Sequence, residues 1–321
     1  MKKTILALLC AIILPIILIA PAFAAELDMS GVAAKLNKNS SEKNFTDEEI
    51  VSLFNYLNTS GVAVDNSEVV KWVRVSKKVN AEALSIALHE EIHVFTYGAD
   101  NCQRKYKKSE VDINRMRDTY YMIDGEKKVV KAVPMYLKTS KTLKDPDSYT
   151  VINEYLTDND MLANIYGLNG LLSEYYAYVK ELGFLIRYRN FCNEYDVEDT
   201  ASDRIAELIL ACDEWKRAAN EYVDFIKVNF DGYVYKELTD TNTLSVLDSV
   251  NKEYETVRAD AMMSAPEISD EVEAAQTNNA NNANNESASE EKTFTSFWDV
   301  IEDFFETIFS EFAFWLANLF A

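Results

Sequence analysis

Residues 89–93 read His89-Glu90-Glu91-Ile92-His93, inside a run that carries helix signals from about Asn80 to Tyr97. On an α-helix, positions i and i+4 lie one above the other, so both imidazoles can reach a single metal ion. Glu90 projects from the neighbouring ridge, within reach of a water bound to that metal, which is the arrangement that metal-assisted hydrolysis needs. The chain holds only 2 His, and both are in this pentad, so any imidazole chemistry is concentrated here.

A second acidic pair follows at Asn153-Glu154-Tyr155-Leu156-Thr157-Asp158. On a helix, Glu154 and Asp158 are again i and i+4. One carboxylate can complete the protein shell of the metal, and the other can accept the second ring N–H of a ligating His and fix its tautomer. Three protein ligands plus one water make the open arrangement of catalytic zinc.

On these two short stretches, about 89–158, the sequence resembles the gluzincin metallopeptidases, the thermolysin-like clan in which an H-E-x-x-H helix is joined by a Glu from a downstream E-x-x-x-D helix. The interval from His93 to Glu154 is longer than in thermolysin itself. The resemblance implies a zincin-like metallopeptidase domain with Zn2+ held by His89, His93 and Glu154, Glu90 as general base and then acid, and Asp158 orienting a ligating His. It also implies a protein or peptide substrate. A donor to the developing oxyanion is expected. No His is left for that task, and among the 18 Tyr we choose Tyr149, just before the Glu. Glu91 is expected to be solvated or structural, and neither Arg187 nor Arg189 stands out from the surface charge. The alternative is a catalytically inactive zincin-like binding or structural protein that acts through its C-terminal helix. An enzyme of the same clan aimed at glycosylated proteins would differ only in pocket residues that the sequence does not place.

The elements that must position these residues follow from periodicity and caps. Asn80 is an N-cap and Gly98 a C-terminal stop for the pentad helix. Its Ala81, Leu84, Leu88, Ile92 and Phe95 make an apolar stripe, while Ser85, His89, His93 and Thr96 lie on a polar ridge fit to line a cleft. Before it, Thr46-Asp47-Glu48-Glu49 is a capping box that opens a helix to about Leu57. Residues 25–43 read as a loose lead-in, and β-branched enrichment from Val62 to Val75 suggests a short strand. After the pentad, Thr119 to Ile123, Asp124-Gly125 and Lys127 to Val133 read as a β-hairpin, which can offer an edge strand to an extended peptide. A helix from Pro146 to Gly167 carries Glu154 and Asp158 well inside it. Further helices, core-forming by their stripes, cover Asn169–Gly183, Thr200–Ile226 and Leu247–Met262.

The ends of the chain differ in kind from its middle. Lys2 and Lys3, an apolar stretch from Ile5 to Ala20 and Ala22-Phe23-Ala24 have the three parts of a secretory signal peptide, with cleavage expected near Ala24/Ala25 and a secreted or extracytoplasmic destination. The mature chain keeps Cys102, Cys192 and Cys212, an odd set without a C-x-x-C pair, so a thiolate zinc site is unsupported. Residues 266–292 are rich in Asn, Ser and Glu and read as a disordered linker. Residues 293–321 read as an acidic, aromatic amphipathic helix, suited first to docking a partner protein or self-association and second to a membrane surface, since acidic faces suit anionic lipid poorly. With 32 basic against 53 acidic residues, the net charge of −21 repels phosphate backbones, so nucleic acid is not expected as a partner. The expected fold is α+β and helix-dominated: signal peptide 1–24, zincin-like domain 25–265 with a small β element, linker 266–292, and the C-terminal helix 293–321.

Overall fold

A computed structural model describes residues 29–98, 118–132, 137–159, 161–239, 241–264 and 272. The expected signal peptide, Cys102, the expected C-terminal helix and all of the expected 266–292 linker but residue 272 lie outside them. Among the described residues, no helix is long and apolar enough to cross a membrane. The described chain is helix-dominated with a single two-stranded antiparallel sheet, an α+β arrangement at the coarse level.

Four helices lead to and include the pentad: α1 (Met29–Lys38), α2 (Asp47–Leu57), α3 (Asn66–Ser76) and α4 (Ala81–Tyr97). The capping box of α2 forms in full, Thr46 accepting from the Glu49 amide and Glu49 accepting from the Thr46 amide. Two sequence expectations fail here. The lead-in at 25–43 contains α1, which buries Val32, Ala33 and Leu36. The suggested strand at Val62–Val75 is largely α3, because Asp65 caps it at Ser67 and the i, i+4 pair Val69 and Val73 is fully buried. A weak β preference yields to a helix cap and a buried face.

The hairpin forms where its turn chemistry requires. β1 (Thr119–Ile123) pairs with β2 (Glu126–Val130), with Tyr121 opposite Lys128. Asp124 and Gly125 take φ of 51° and 76°, the two positive values of a type I′ turn. Its outer edge is closed at Met122. The Tyr176 hydroxyl accepts from the Met122 amide at 3.0 Å and donates to the Met122 carbonyl at 3.1 Å. An extended peptide cannot use those two groups, so the edge-strand role expected of the hairpin meets an obstacle at this residue.

A larger departure from the expected helix lies between Pro146 and Gly167. Instead of one helix there is a 3-10 turn at Pro146–Ser148, then α5 (Asn153–Thr157), then α6 (Leu162–Ile165). Then come α7 (Gly167–Tyr195), α8 (Ser202–Asn229), α9 (Gly232–Leu238) and α10 (Thr241–Ser264). Helix α7 runs through Gly183, where the sequence suggested a stop. A helical Gly costs about 0.5–1 kcal/mol, whereas the turns beyond it bury Phe184, Leu185, Tyr188 and Phe191, each contributing about 1.5–3 kcal/mol.

Helix α7 is the centre of the molecule. It packs against α4, α6, α8 and α10 and is buried along nearly its whole length. Close approach of α6 depends on Gly170, where a Cβ would strike the Leu162 carbonyl. Buried Cys192 on α7 and Cys212 on α8 are free thiols in this core.

Candidate metal centre

Helix α4 begins and ends as its caps dictate. The Asn80 side chain accepts from the Ala83 amide at 3.0 Å, and Gly98 takes φ of 78°. Its polar ridge is largely covered among the described residues. It faces α7: Ser85 and Thr96 are buried, and the His89 and His93 side chains are only 14% and 17% exposed. Across from them, α7 carries Ser173, Glu174, Tyr178 and Glu181, of which 174, 178 and 181 share one face by the i, i+4, i+7 rule.

His89 Nε2 and His93 Nε2 stand 3.1 Å apart, and Glu174 Oε2 lies 3.4 Å from the second and 3.8 Å from the first. Tetrahedral bonds of about 2.05 Å give ligand-to-ligand separations of about 3.4 Å, so the triangle has the dimensions that zinc requires. Glu174 Oε2 is also a buried oxygen with no well-formed hydrogen bond. An uncompensated buried carboxylate oxygen is costly unless a cation meets it. The donor set therefore fits a divalent metal with imidazole and carboxylate preferences.

The electrostatics agree. Burial acts against a charge on His89, but Glu174 and Glu181 outweigh it and raise its pKa to about 10. Burial likewise disfavours charge on Glu174, yet His93 and His89 hold its carboxyl well below the usual range. Glu181 is lowered against its own burial by His89 and Arg204. A cation held between the two Nε2 atoms would displace the proton that these carboxylates favour on His89.

A further layer orients the rings. His89 Nδ1 lies 3.1 Å from Glu181 Oε2, and His93 Nδ1 lies 3.1 Å from Ser173 Oγ. With each Nδ1–H donating to its partner, each Nε2 keeps a lone pair for a cation. Tyr178 sets its ring edge against His89 at 5.0 Å, and Tyr97 stacks on His93 at 6.2 Å. Glu91 proves structural: it is buried and accepts from the Asp65 amide at 2.9 Å, tying α4 to the start of α3. Glu90 is half-buried, between the two histidines on α4.

Of the residues expected from sequence, His89 and His93 come together, while Glu154 and Asp158 do not join them. Among the described residues, the metal-capable group here is His89, His93 and Glu174. Glu154 on the five-residue α5 and Asp158 at its C-terminal end are both exposed, and neither belongs to the group that the histidines form. Tyr149 is buried against α8, with the Arg217 guanidinium over its ring at 3.9 Å. Burial and Glu221 push its phenol pKa up. The tyrosine ring that touches His89 is Tyr178.

Sequence reasoning missed Ser173, Glu174 and Glu181. A signal existed: Glu174 and Glu181 are charges seven residues apart on a face of α7 that also carries Leu171, Tyr178 and Leu185. Such residues are rarely buried unless paired, and a buried face that keeps two of them has a partner for them. Comparison with protein-family models, with curated proteins and with solved structures finds no match to this chain.

Proposed function

We propose that this protein is a secreted zinc metallopeptidase of gluzincin type, with a zincin-like arrangement in which Glu174 takes the ligand place first given to Glu154. The observation that carries the reading is the triangle of two Nε2 atoms and one carboxylate oxygen, closed at 3.1, 3.4 and 3.8 Å. His89, His93 and Glu174 would hold the metal. When bound, zinc supplies Lewis acidity, which lowers the pKa of a neighbouring water toward neutrality and polarises a substrate carbonyl. Glu90 takes a proton from the water as its oxygen bonds to the carbonyl carbon. It then returns that proton to the amide nitrogen as the C–N bond breaks, giving a carboxylic acid and an amine. Glu181 and Ser173 hold the imidazole protons on Nδ1 and keep the rings aimed.

The alternative, a binding protein with an inactive metal site, is less well supported. Structural zinc sites usually close with four protein ligands, whereas three side chains converge among the described residues. A Glu is also placed between the two histidines, where a purely structural site needs no base.

Purified protein is expected to hold about one zinc per chain and to cleave a general protein substrate. Glu90→Gln should keep the zinc and lose at least about 100-fold in cleavage, the scale of general acid–base catalysis. Zinc analysis beside a cleavage assay checks both halves. Equal cleavage by wild type and Glu90→Gln would refute the mechanism, and absence of zinc from both would refute the metal centre.

A further inference from the structure

Glu181 has a side chain only 1% exposed, and its two oxygens have different company. Oε1 accepts from Ser85 Oγ at 3.0 Å and from Arg204 Nε and Nη2 at 3.3 and 3.0 Å. Oε2 is left to His89 Nδ1 at 3.1 Å. Three donors on one oxygen fix the rotation of the carboxylate about its last bond, and that rotation decides whether the other oxygen points at the imidazole.

We infer that Arg204 is a positioning residue of the metal centre: its two guanidinium N–H groups hold Oε1 of Glu181, aim Oε2 at His89, and thereby set how tightly the two histidines grip a cation. This rests on the metal-centre reading given above. The relay crosses three helices, from Arg204 on α8 through Glu181 on α7 to His89 on α4. Ser85 belongs to the same device, since it stands one turn before His89 and ties the carboxylate back to the helix that it orients.

The charge of Arg204 matters as well as its shape. Glu174 and Glu181 are two carboxylates on one buried face of α7. A buried carboxylate is tolerated when a cation and well-directed hydrogen bonds compensate it. Arg204 compensates Glu181 from outside, which leaves Glu174 for the metal. The guanidinium fork presents two N–H groups to one side, which the point charge of a lysine cannot reproduce. On its outer side Arg204 meets Glu207 at 2.8 Å, a residue 55% exposed. An exposed ion pair of that kind contributes little, so Glu207 is the internal control.

The test uses the full chain and reads zinc affinity by competition with a chromophoric chelator, together with the visible absorption of the cobalt-substituted protein. Arg204→Gln should weaken zinc binding about 10–100-fold, the range of residues that support metal ligands, and should shift the cobalt bands. Arg204→Lys should fall between Arg204→Gln and wild type. Glu207→Gln should stay within about twofold. A merely structural Arg204 would lower the melting temperature and leave affinity and cobalt spectrum alone, and that result would overturn the inference. If Arg204→Gln does not fold, Ser85→Ala removes a donor from the same oxygen and should weaken binding several-fold. Wild-type affinity in Ser85→Ala would then overturn it instead. A wild-type chain that takes up neither zinc nor cobalt would overturn the metal centre and the role of Arg204 together.

Discussion

The α5 region and α7 each offer a glutamate followed downstream by a second carboxylate, and of the two only α7 meets the histidines. At α5, Glu154 and Asp158 have the i, i+4 spacing, and the Asp158 amide still donates to the Glu154 carbonyl at 2.9 Å, but both residues are exposed. In α7, Glu174 and Glu181 sit on an unbroken helix of 29 residues whose face lies against α4. Spacing brings carboxylates to a site only where another element covers the face that carries them. The α5 region is instead tied to α8. Glu214 accepts from the amides of Thr150, Val151 and Ile152 at 2.8, 2.8 and 3.1 Å. Tyr155 also packs edge-on against Trp215 at 5.6 Å.

The strongest way to break this comparison is to remove each glutamate in turn. Glu174→Ala should lower zinc affinity by more than about 100-fold, beyond the range of a supporting residue. Glu154→Ala should leave it unchanged, and chelator competition on both variants decides between them. The reverse outcome would restore the ligand first expected from the sequence.

Metal removal sharpens the same contrast on a smaller scale. A ligand at about 100 times its dissociation constant stabilises the folded state by about 2.7 kcal/mol. For a domain of this size that is a melting temperature higher by about 5–10 °C. Stripping zinc should therefore lower the melting temperature of wild type and of Glu154→Ala by that amount, and should leave Glu174→Ala nearly unaffected. A scan with and without chelator measures it.

The smallest effect tests how the α5 region is held. Glu214→Gln swaps a carboxylate that gathers three amides for a group with one acceptor. A loss of about 1.5 kcal/mol is expected in denaturant unfolding, with zinc content preserved. Loss of zinc in this variant would mean that the α5 region supports the metal centre after all.

The parts of the fold legible in the sequence share one property: each is decided within a few residues. The capping box at Thr46–Glu49 and the Asp124-Gly125 turn bring together groups at most three positions apart, and both form as their residue types require. The failures occur where distant contacts arbitrate. Val69 and Val73 favour a strand by propensity and become helical because a core accepts both on one side. Gly183 looks like a stop, yet α7 continues because the aromatic residues beyond it find neighbours to bury against.

The same division runs through the site. Two imidazoles on one face of α4, with Glu90 between them, follow from the sequence because i, i+4 geometry is a property of any helix. Which carboxylate completes the group, and that Glu181 and Ser173 turn the rings, was decided by the tertiary structure alone. The reason is physical: those partners lie 80 or more positions away, and only the packing of α7 across α4 brings them within bonding distance.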